Sequence, residues 1–120
     1  MTLGEKQRLF MRCLGLLINW AYKSGYELAG GELERKPAQA AANADAGIGI
    51  VNSNHLRRIA IDLMLFVDGQ YVTDSAAYKP LGDYWKSLDP LCRWGGDFKD
   101  KNGRPKPDGD HFSLEHEGVK

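Results

Sequence analysis

The 120-residue sequence lacks an excess of charge of either sign, since 16 Lys and Arg residues balance 16 Asp and Glu residues. Nucleic-acid-binding domains are usually strongly basic, and proteins held on membrane surfaces usually carry polybasic segments. We therefore expect neither nucleic acid nor a membrane surface among the partners of this chain. With 42% hydrophobic residues and 10% aromatics, the composition indicates a folded globule whose function resides in a localised site.

Long apolar runs are also missing from the sequence. No uninterrupted stretch of apolar residues and glycine is longer than that at residues 13–18, whereas a membrane-spanning helix needs about 18 residues or more. Charged residues interrupt the N-terminal segment, so the pattern is not that of a signal peptide. We expect no membrane insertion, and synthesis in the cytoplasm.

Cysteine is scarce, and the two that occur, Cys13 and Cys92, are far apart in the sequence. Neither belongs to a C-x-x-C pair, so the sequence has neither a zinc ribbon nor a thioredoxin-like redox motif. A disulfide between them is possible, but two reduced, buried thiols are the favoured interpretation because cysteine is among the most buried residue types.

Hydrophobic periodicity indicates a mixture of helices and antiparallel strands. Apolar residues at three- and four-residue spacing predict an amphipathic helix over 4–24, and Asp68-Gly69 between two β-rich runs predicts a hairpin. Without strand–helix–strand alternation the fold class is α+β, an antiparallel sheet with flanking helices. No repeat or linker divides the chain, so we expect a single domain over 1–120 with its core at about 26–116. The other predicted elements are a strand within 26–35, a short helix over 37–46, hairpin strands at 57–67 and 71–74, a helix over 78–88, a turn or short strand over 91–98, and a final strand over 111–116.

Asp62 is the one carboxylate on a strand that is otherwise apolar. Residues 59–67 alternate between two faces, and both faces are apolar apart from this side chain. A buried charge is costly unless it is paired or bound to a metal. An ion pair with Arg57 or Arg58, or hydrogen bonds from backbone N–H groups, would satisfy it, and so would a metal ion.

Two of the three histidines are candidate metal ligands beside this aspartate. His55 lies seven residues before Asp62, and His111 begins the final predicted strand. Two imidazoles and one carboxylate are a familiar ligand set for catalytic zinc, which keeps a fourth position for water. Seven residues of regular strand would put His55 and Asp62 on opposite faces, so the chain must depart from strand geometry before residue 58. From the residues alone, a metal site and a purely structural role both remain open.

Four ordered motifs resemble those of the zinc D-alanyl-D-alanine carboxypeptidase and L-alanyl-D-glutamate peptidase family. The segment SNHLRRIAID at 53–62 is similar to the family's S-x-H-x(6)-D element, and ERKPAQ at 34–39 resembles its Y-R-(S/T)-x-x-x-Q element. WGGDF at 94–98 resembles W-G-G-D-(W/F), and DGDHF at 108–112 resembles (D/E)-x-x-H-F. The motifs span roughly residues 26–116, and the compact size is most similar to the phage endolysin branch.

The resemblance implies a zinc site in a cleft on the sheet. Its ligands would be His55, Asp62 and His111, and Asp108 would be the general base that takes a proton from the attacking water. Asp110 stands where relatives often carry proline, which adds a second carboxylate and leaves Asp110 as an alternative base.

The resemblance also implies residues that contact the substrate. Arg35 would neutralise a substrate carboxylate or the developing oxyanion, a task that suits its planar guanidinium group. Gln39 and Ser53 would orient the substrate or the ligands, although structural roles remain open for both. Glu34 and Arg58 depart from the family pattern, which has an aromatic residue and glycine at these positions in several members.

The implied function is a zinc-dependent peptidase that hydrolyses bacterial peptidoglycan stem peptides. The expected reaction is L-alanyl-D-glutamate endopeptidase cleavage by a phage endolysin, which acts on the host cell wall after release as a monomer. A D-Ala-D-Ala carboxypeptidase or dipeptidase would use the same zinc set and is the alternative enzyme. A non-catalytic, zinc-stabilised wall-binding module is an alternative from a different class.

Overall fold

The computed structural model describes residues 1–31 and 54–120, and every structural statement below concerns these residues. The predicted helix over 37–46, the second part of the predicted 26–35 strand, and the residues Arg35, Gln39 and Ser53 lie outside this part. The described elements are α1 (Leu3–Lys23), β1 (Glu27–Gly30), a 3-10 helix (Asn54–Arg57), β2 (Ala60–Val67), β3 (Gln70–Val72), a 3-10 helix (Ser75–Tyr78), α2 (Lys79–Leu88), β4 (Cys92–Trp94), a 3-10 helix (Gly95–Asp97) and β5 (His111–Leu114).

An antiparallel sheet forms one layer of the fold, with strand order β1-β2-β5-β4. β3 also pairs with β2, next to the last residues of that strand, so β2 has β5 as neighbour at its start and β3 at its end. Helices α1 and α2 supply the apolar side chains that cover the sheet. The α+β class with an antiparallel sheet and flanking helices, predicted from the sequence, is therefore confirmed.

Helix α1 begins with a capping box, because the Thr2 hydroxyl accepts a hydrogen bond from the Glu5 N–H and the Glu5 carboxylate accepts one from the Thr2 N–H. Its predicted bounds of 4–24 agree with the observed Leu3–Lys23 to within one residue. The buried face of α1 carries Phe10, Cys13, Leu14, Leu17 and Ala21.

Trp85 of α2 connects this helix to the sheet at the centre of the core. Its ring is fully buried and packs edge-to-face on Phe10 at 5.7 Å and on Phe112 at 6.0 Å. The indole Nε1–H donates to the carbonyl oxygens of Arg93 and Ser113, at 3.0 and 3.1 Å. The buried polar atom is therefore satisfied by β4 and β5, which fixes α2 on the sheet.

The hairpin of β2 and β3 is the predicted one, although its strands are shorter than expected. Asp68 and Gly69 have φ values of 53° and 77°, as a tight turn of the hairpin type requires. The final strand ends at Leu114 instead of 116. Beyond it, the His116 side chain is only 13% exposed, and its Nδ1 lies 3.0 Å from the Lys6 ammonium.

Across the described residues, helix length and hydropathy together identify no segment able to span a bilayer.

Both cysteines are free and buried, Cys13 on α1 and Cys92 on β4. Burial is the main cause that raises the pKa of each thiol above its ordinary value. Because only the thiolate is alkylated rapidly, we expect iodoacetamide to label both thiols at least 10²-fold more slowly in the native protein than in denaturant. Intact-mass measurement checks this, and failure to label in denaturant without a reductant would indicate a disulfide instead.

Candidate metal centre

His55 is carried on a 3-10 helix that precedes β2. The chain leaves this helix through Arg58, whose φ of 57° lies in the left-handed region, and strand geometry begins at Ala60. This irregular path lets His55 and Asp62 share a face, as the sequence analysis required. The left-handed conformation at Arg58 also explains why glycine suits this position in the family that the sequence resembles.

Asn54 holds the 3-10 helix in place, and sequence reasoning did not identify it. The side chain is fully buried, and its Nδ2 donates to the carbonyl oxygens of Leu114 and Val119, both at 2.8 Å. The two acceptors lie 60 and 65 residues further along the chain, so no local pattern could reveal the contact. Asn54 thereby ties the backbone next to His55 to the chain around the end of β5.

Asp62 and His111 are brought together by strand pairing. They are directly opposed in the register of β2 and β5, and opposed residues project their side chains to the same face of a sheet. The Asp62 carbonyl also accepts a hydrogen bond from the Gly31 N–H at 2.7 Å, and a Cβ atom at Gly31 would lie only 2.8 Å from that oxygen. Asp62 is therefore held between neighbours on both sides.

The three donor side chains converge around one point. The Asp62 Oδ1 atom lies 3.5 Å from His55 Nε2 and 3.7 Å from His111 Nδ1, and the donor atoms of all three residues lie within 4.8 Å of one another. Ligand atoms about 2.1 Å from a tetrahedral zinc ion are roughly 3.4 Å apart. His55 and His111 are buried and Asp62 is partly buried, so the donor set fits a bound divalent cation in both chemistry and spacing.

The charge state of Asp62 suits a metal ligand. Burial alone would raise the pKa of the Asp62 carboxyl, but the adjacent His111 and His55 rings favour the ionised form and hold that pKa well below its usual range. The carboxylate is therefore ionised at any physiological pH and available to a cation.

Two further carboxylates adjoin this group. Oxygen atoms of Asp62, Asp108 and Asp110 lie within 4.8 Å of one another, and Asp108 is exposed whereas Asp110 is partly buried. Burial and the neighbouring carboxylates of Asp108 and Asp62 raise the pKa of the Asp110 carboxyl to about 7. A cation bound at the three donors would lower that pKa again. The two acids thus lie close enough to influence each other's ionisation next to the metal donors.

A cavity of about 130 Å³ opens beside this pair. It lies where the neighbour of β2 changes from β5 to β3. The Tyr78 hydroxyl links β2 to β3 here, because it accepts a hydrogen bond from the Leu65 N–H at 3.0 Å and donates one to the Val72 carbonyl at 2.7 Å. The described residues that line the cavity are Tyr71, Thr73, Ser75, Tyr78 and the turn 108–110.

Of the residues singled out in the sequence, the structure brings together His55, Asp62, His111, Asp108 and Asp110. Arg35, Gln39 and Ser53 lie outside the described residues, so their roles stay predictions.

The sequence matches no protein-family model and no curated protein. The structure is similar to the crystal structure of Serratia marcescens L-Ala D-Glu endopeptidase ChiX, with a TM-score of 0.73 over 93% of this chain and 85% of that chain, at 21% sequence identity. The chain therefore has the fold of that endopeptidase, and its His55, Asp62 and His111 form a possible metal-binding group on the sheet.

Proposed function

We propose that this protein is a zinc-dependent peptidase that hydrolyses the L-alanyl-D-glutamate bond of bacterial peptidoglycan stem peptides. The observation that carries the proposal is the convergence of His55, Asp62 and His111 beside the carboxylates of Asp108 and Asp110. The fold shared with an L-Ala D-Glu endopeptidase and the four sequence motifs support the same substrate class.

In the proposed reaction, the zinc ion and the side chains of the protein have different roles. When bound, zinc would polarise the scissile carbonyl and acidify a water molecule. Asp108 accepts a proton from the attacking water and returns it to the amine of the leaving group, which is the work of a general base and then a general acid. Asp110, whose carboxylate lies within 4.8 Å of that of Asp108, is the alternative base. Arg35 is proposed to bind a substrate carboxylate or the developing oxyanion, with Gln39 and Ser53 orienting the substrate.

The biological role that we propose is host-cell lysis, as in the phage endolysins that the motifs resemble. In this role a single domain, made in the cytoplasm and active as a monomer, reaches the cell wall after release. A D-Ala-D-Ala carboxypeptidase remains the alternative enzyme, since the same ligand set would serve it.

Metal analysis of the purified protein tests the ligand assignment. Two imidazoles and a carboxylate also suit ferrous iron, so the ion has to be identified by mass spectrometry as well as counted. We expect about one zinc per chain, lost in His111→Ala and retained in His116→Ala, because His116 contacts Lys6 and Glu117 instead of the metal donors. Absence of stoichiometric metal together with activity that resists chelators would reject the assignment.

Digestion of purified peptidoglycan tests the reaction. We expect new N-terminal D-Glu in the products, abolished by a chelator and restored by zinc. Release of free D-alanine without new N-terminal D-Glu would show that the enzyme is the carboxypeptidase instead of the endopeptidase. Bound metal without any cleavage would favour a zinc-stabilised wall-binding module.

A further inference from the structure

Hydrogen bonds to the N–H and carbonyl groups of Asp108 and Gly109 fix the turn that carries Asp108. The Asp108 N–H donates to the Gly95 carbonyl at 2.8 Å, and the Asp108 carbonyl accepts from the His111 N–H at 3.1 Å. Both of these contacts are between backbone atoms, so neither depends on the identity of the side chain at Asp108.

The next residue, Gly109, is held by two side chains instead. Its N–H donates to the Ser75 Oγ at 3.0 Å, and its carbonyl accepts from the Trp94 Nε1–H at 2.8 Å. The contact with Ser75 is close, since a Cβ atom at Gly109 would lie 2.6 Å from the Ser75 Cα atom. Ser75 is thus the only described hydroxyl that reaches the turn from the β3 side of the cavity.

Ser75 is itself rigidly supported. It begins the 3-10 helix that ends at Tyr78, and Asp74 caps this helix by accepting from the Ala76 N–H at 3.1 Å. At the other end, the Tyr78 hydroxyl is hydrogen-bonded to β2 and β3. The Ser75 hydroxyl therefore links the turn at 108–110 to the hairpin of β2 and β3.

We infer that Ser75 is a positioning residue for the proposed general base, holding the Asp108–Gly109 peptide so that the carboxylate stays beside the metal donors. This inference rests on the proposed function. The Asp108 side chain is exposed, so the backbone of the turn sets its location. Since misplacement of a reacting group by about 1 Å can cost roughly 10²-fold in rate, loss of this anchor lowers turnover without touching the ligands.

The test compares Ser75→Ala with Ser87→Ala. The Ser87 hydroxyl also makes one hydrogen bond with the backbone, donating to the Tyr84 carbonyl at 2.6 Å, but it is exposed on α2 and absent from the cavity lining. We expect Ser75→Ala to lower kcat about 5- to 50-fold with KM and zinc content unchanged, whereas Ser87→Ala leaves kcat unchanged. Ser75→Thr, which keeps a hydroxyl, restores at least half of kcat.

Amide hydrogen exchange supplies a readout that does not depend on activity. The Gly109 amide should exchange at least 10-fold faster in Ser75→Ala than in wild type, with the amides of β2 unchanged. Wild-type kcat or an unchanged Gly109 exchange rate in Ser75→Ala overturns the inference while leaving the proposed function intact. A wild-type protein that binds zinc but cleaves no peptidoglycan overturns the proposed function, and the positioning role with it.

Discussion

Asp108→Ala should reduce the rate of peptidoglycan cleavage by about 10²- to 10⁴-fold, the usual contribution of a general acid–base residue. The exposed Asp108 carboxylate lies within 4.8 Å of oxygens of Asp62 and Asp110. It contributes no atom to the His55, Asp62 and His111 group, so zinc content and the folded state should be unaffected. Steady-state kinetics on a defined stem peptide, with metal analysis of the same sample, measures both.

Two further variants make this result interpretable. Asp97→Ala removes another exposed aspartate, one that pairs with Lys86 at 2.7 Å, and should leave the cleavage rate unchanged. Asp110→Asn keeps the size of the side chain but removes its carboxyl group, and with it the alternative base. Wild-type cleavage by Asp108→Ala together with a large loss in Asp110→Asn would move the base assignment to Asp110.

Gly82→Ala should lower the free energy of unfolding by about 3 kcal/mol, near the upper end of the usual cost of overpacking a core. Gly82 lies in α2 with its Cα against the face of the buried Trp94 ring, and a Cβ atom there would be 2.2 Å from the nearest ring atom. The ring cannot move away freely, because Gly96 packs against its other end equally closely and its Nε1–H holds the Gly109 carbonyl. Thermal unfolding should show a Tm lower by roughly 10 °C.

Gly15→Ala is the matched control for this substitution. Gly15 is also in a helix interior, but it is exposed and a Cβ atom there would meet nothing within 4 Å. Alanine should therefore raise stability by about 0.5–1 kcal/mol through helix propensity alone. If both substitutions changed the free energy of unfolding equally, the close contact between Gly82 and Trp94 would not be what makes alanine unfavourable at position 82.

The glycines of the W-G-G-D segment illustrate what a motif can and cannot predict. In the structure Trp94 is buried, and a Cβ atom at Gly96 would overlap its ring. A Cβ atom at Gly95 would clash with the Asp108 carbonyl oxygen and lie 2.8 Å from the His111 Cβ atom. The glycine is thus required by the close approach of the Asp108 turn, a contact between segments that the sequence alone could not bring together.

The sequence by itself determined the elements whose signal is local. The three- and four-residue spacing of apolar side chains predicted α1, the Asp68-Gly69 pair predicted the hairpin, and Asp62 stood out as the one carboxylate on an otherwise apolar strand. It also determined the donor types, two imidazoles and carboxylates.

The tertiary structure alone decided how those donors meet. The register of β2 and β5 opposes Asp62 to His111, and the anchors of the site, Asn54 and Ser75, act on backbone atoms 34 to 65 residues away. Local composition cannot encode such contacts, because they depend on which strands pair and on how closely packed segments approach. The residue types therefore determine the chemistry that this site can perform, and long-range hydrogen bonds and packing determine its geometry.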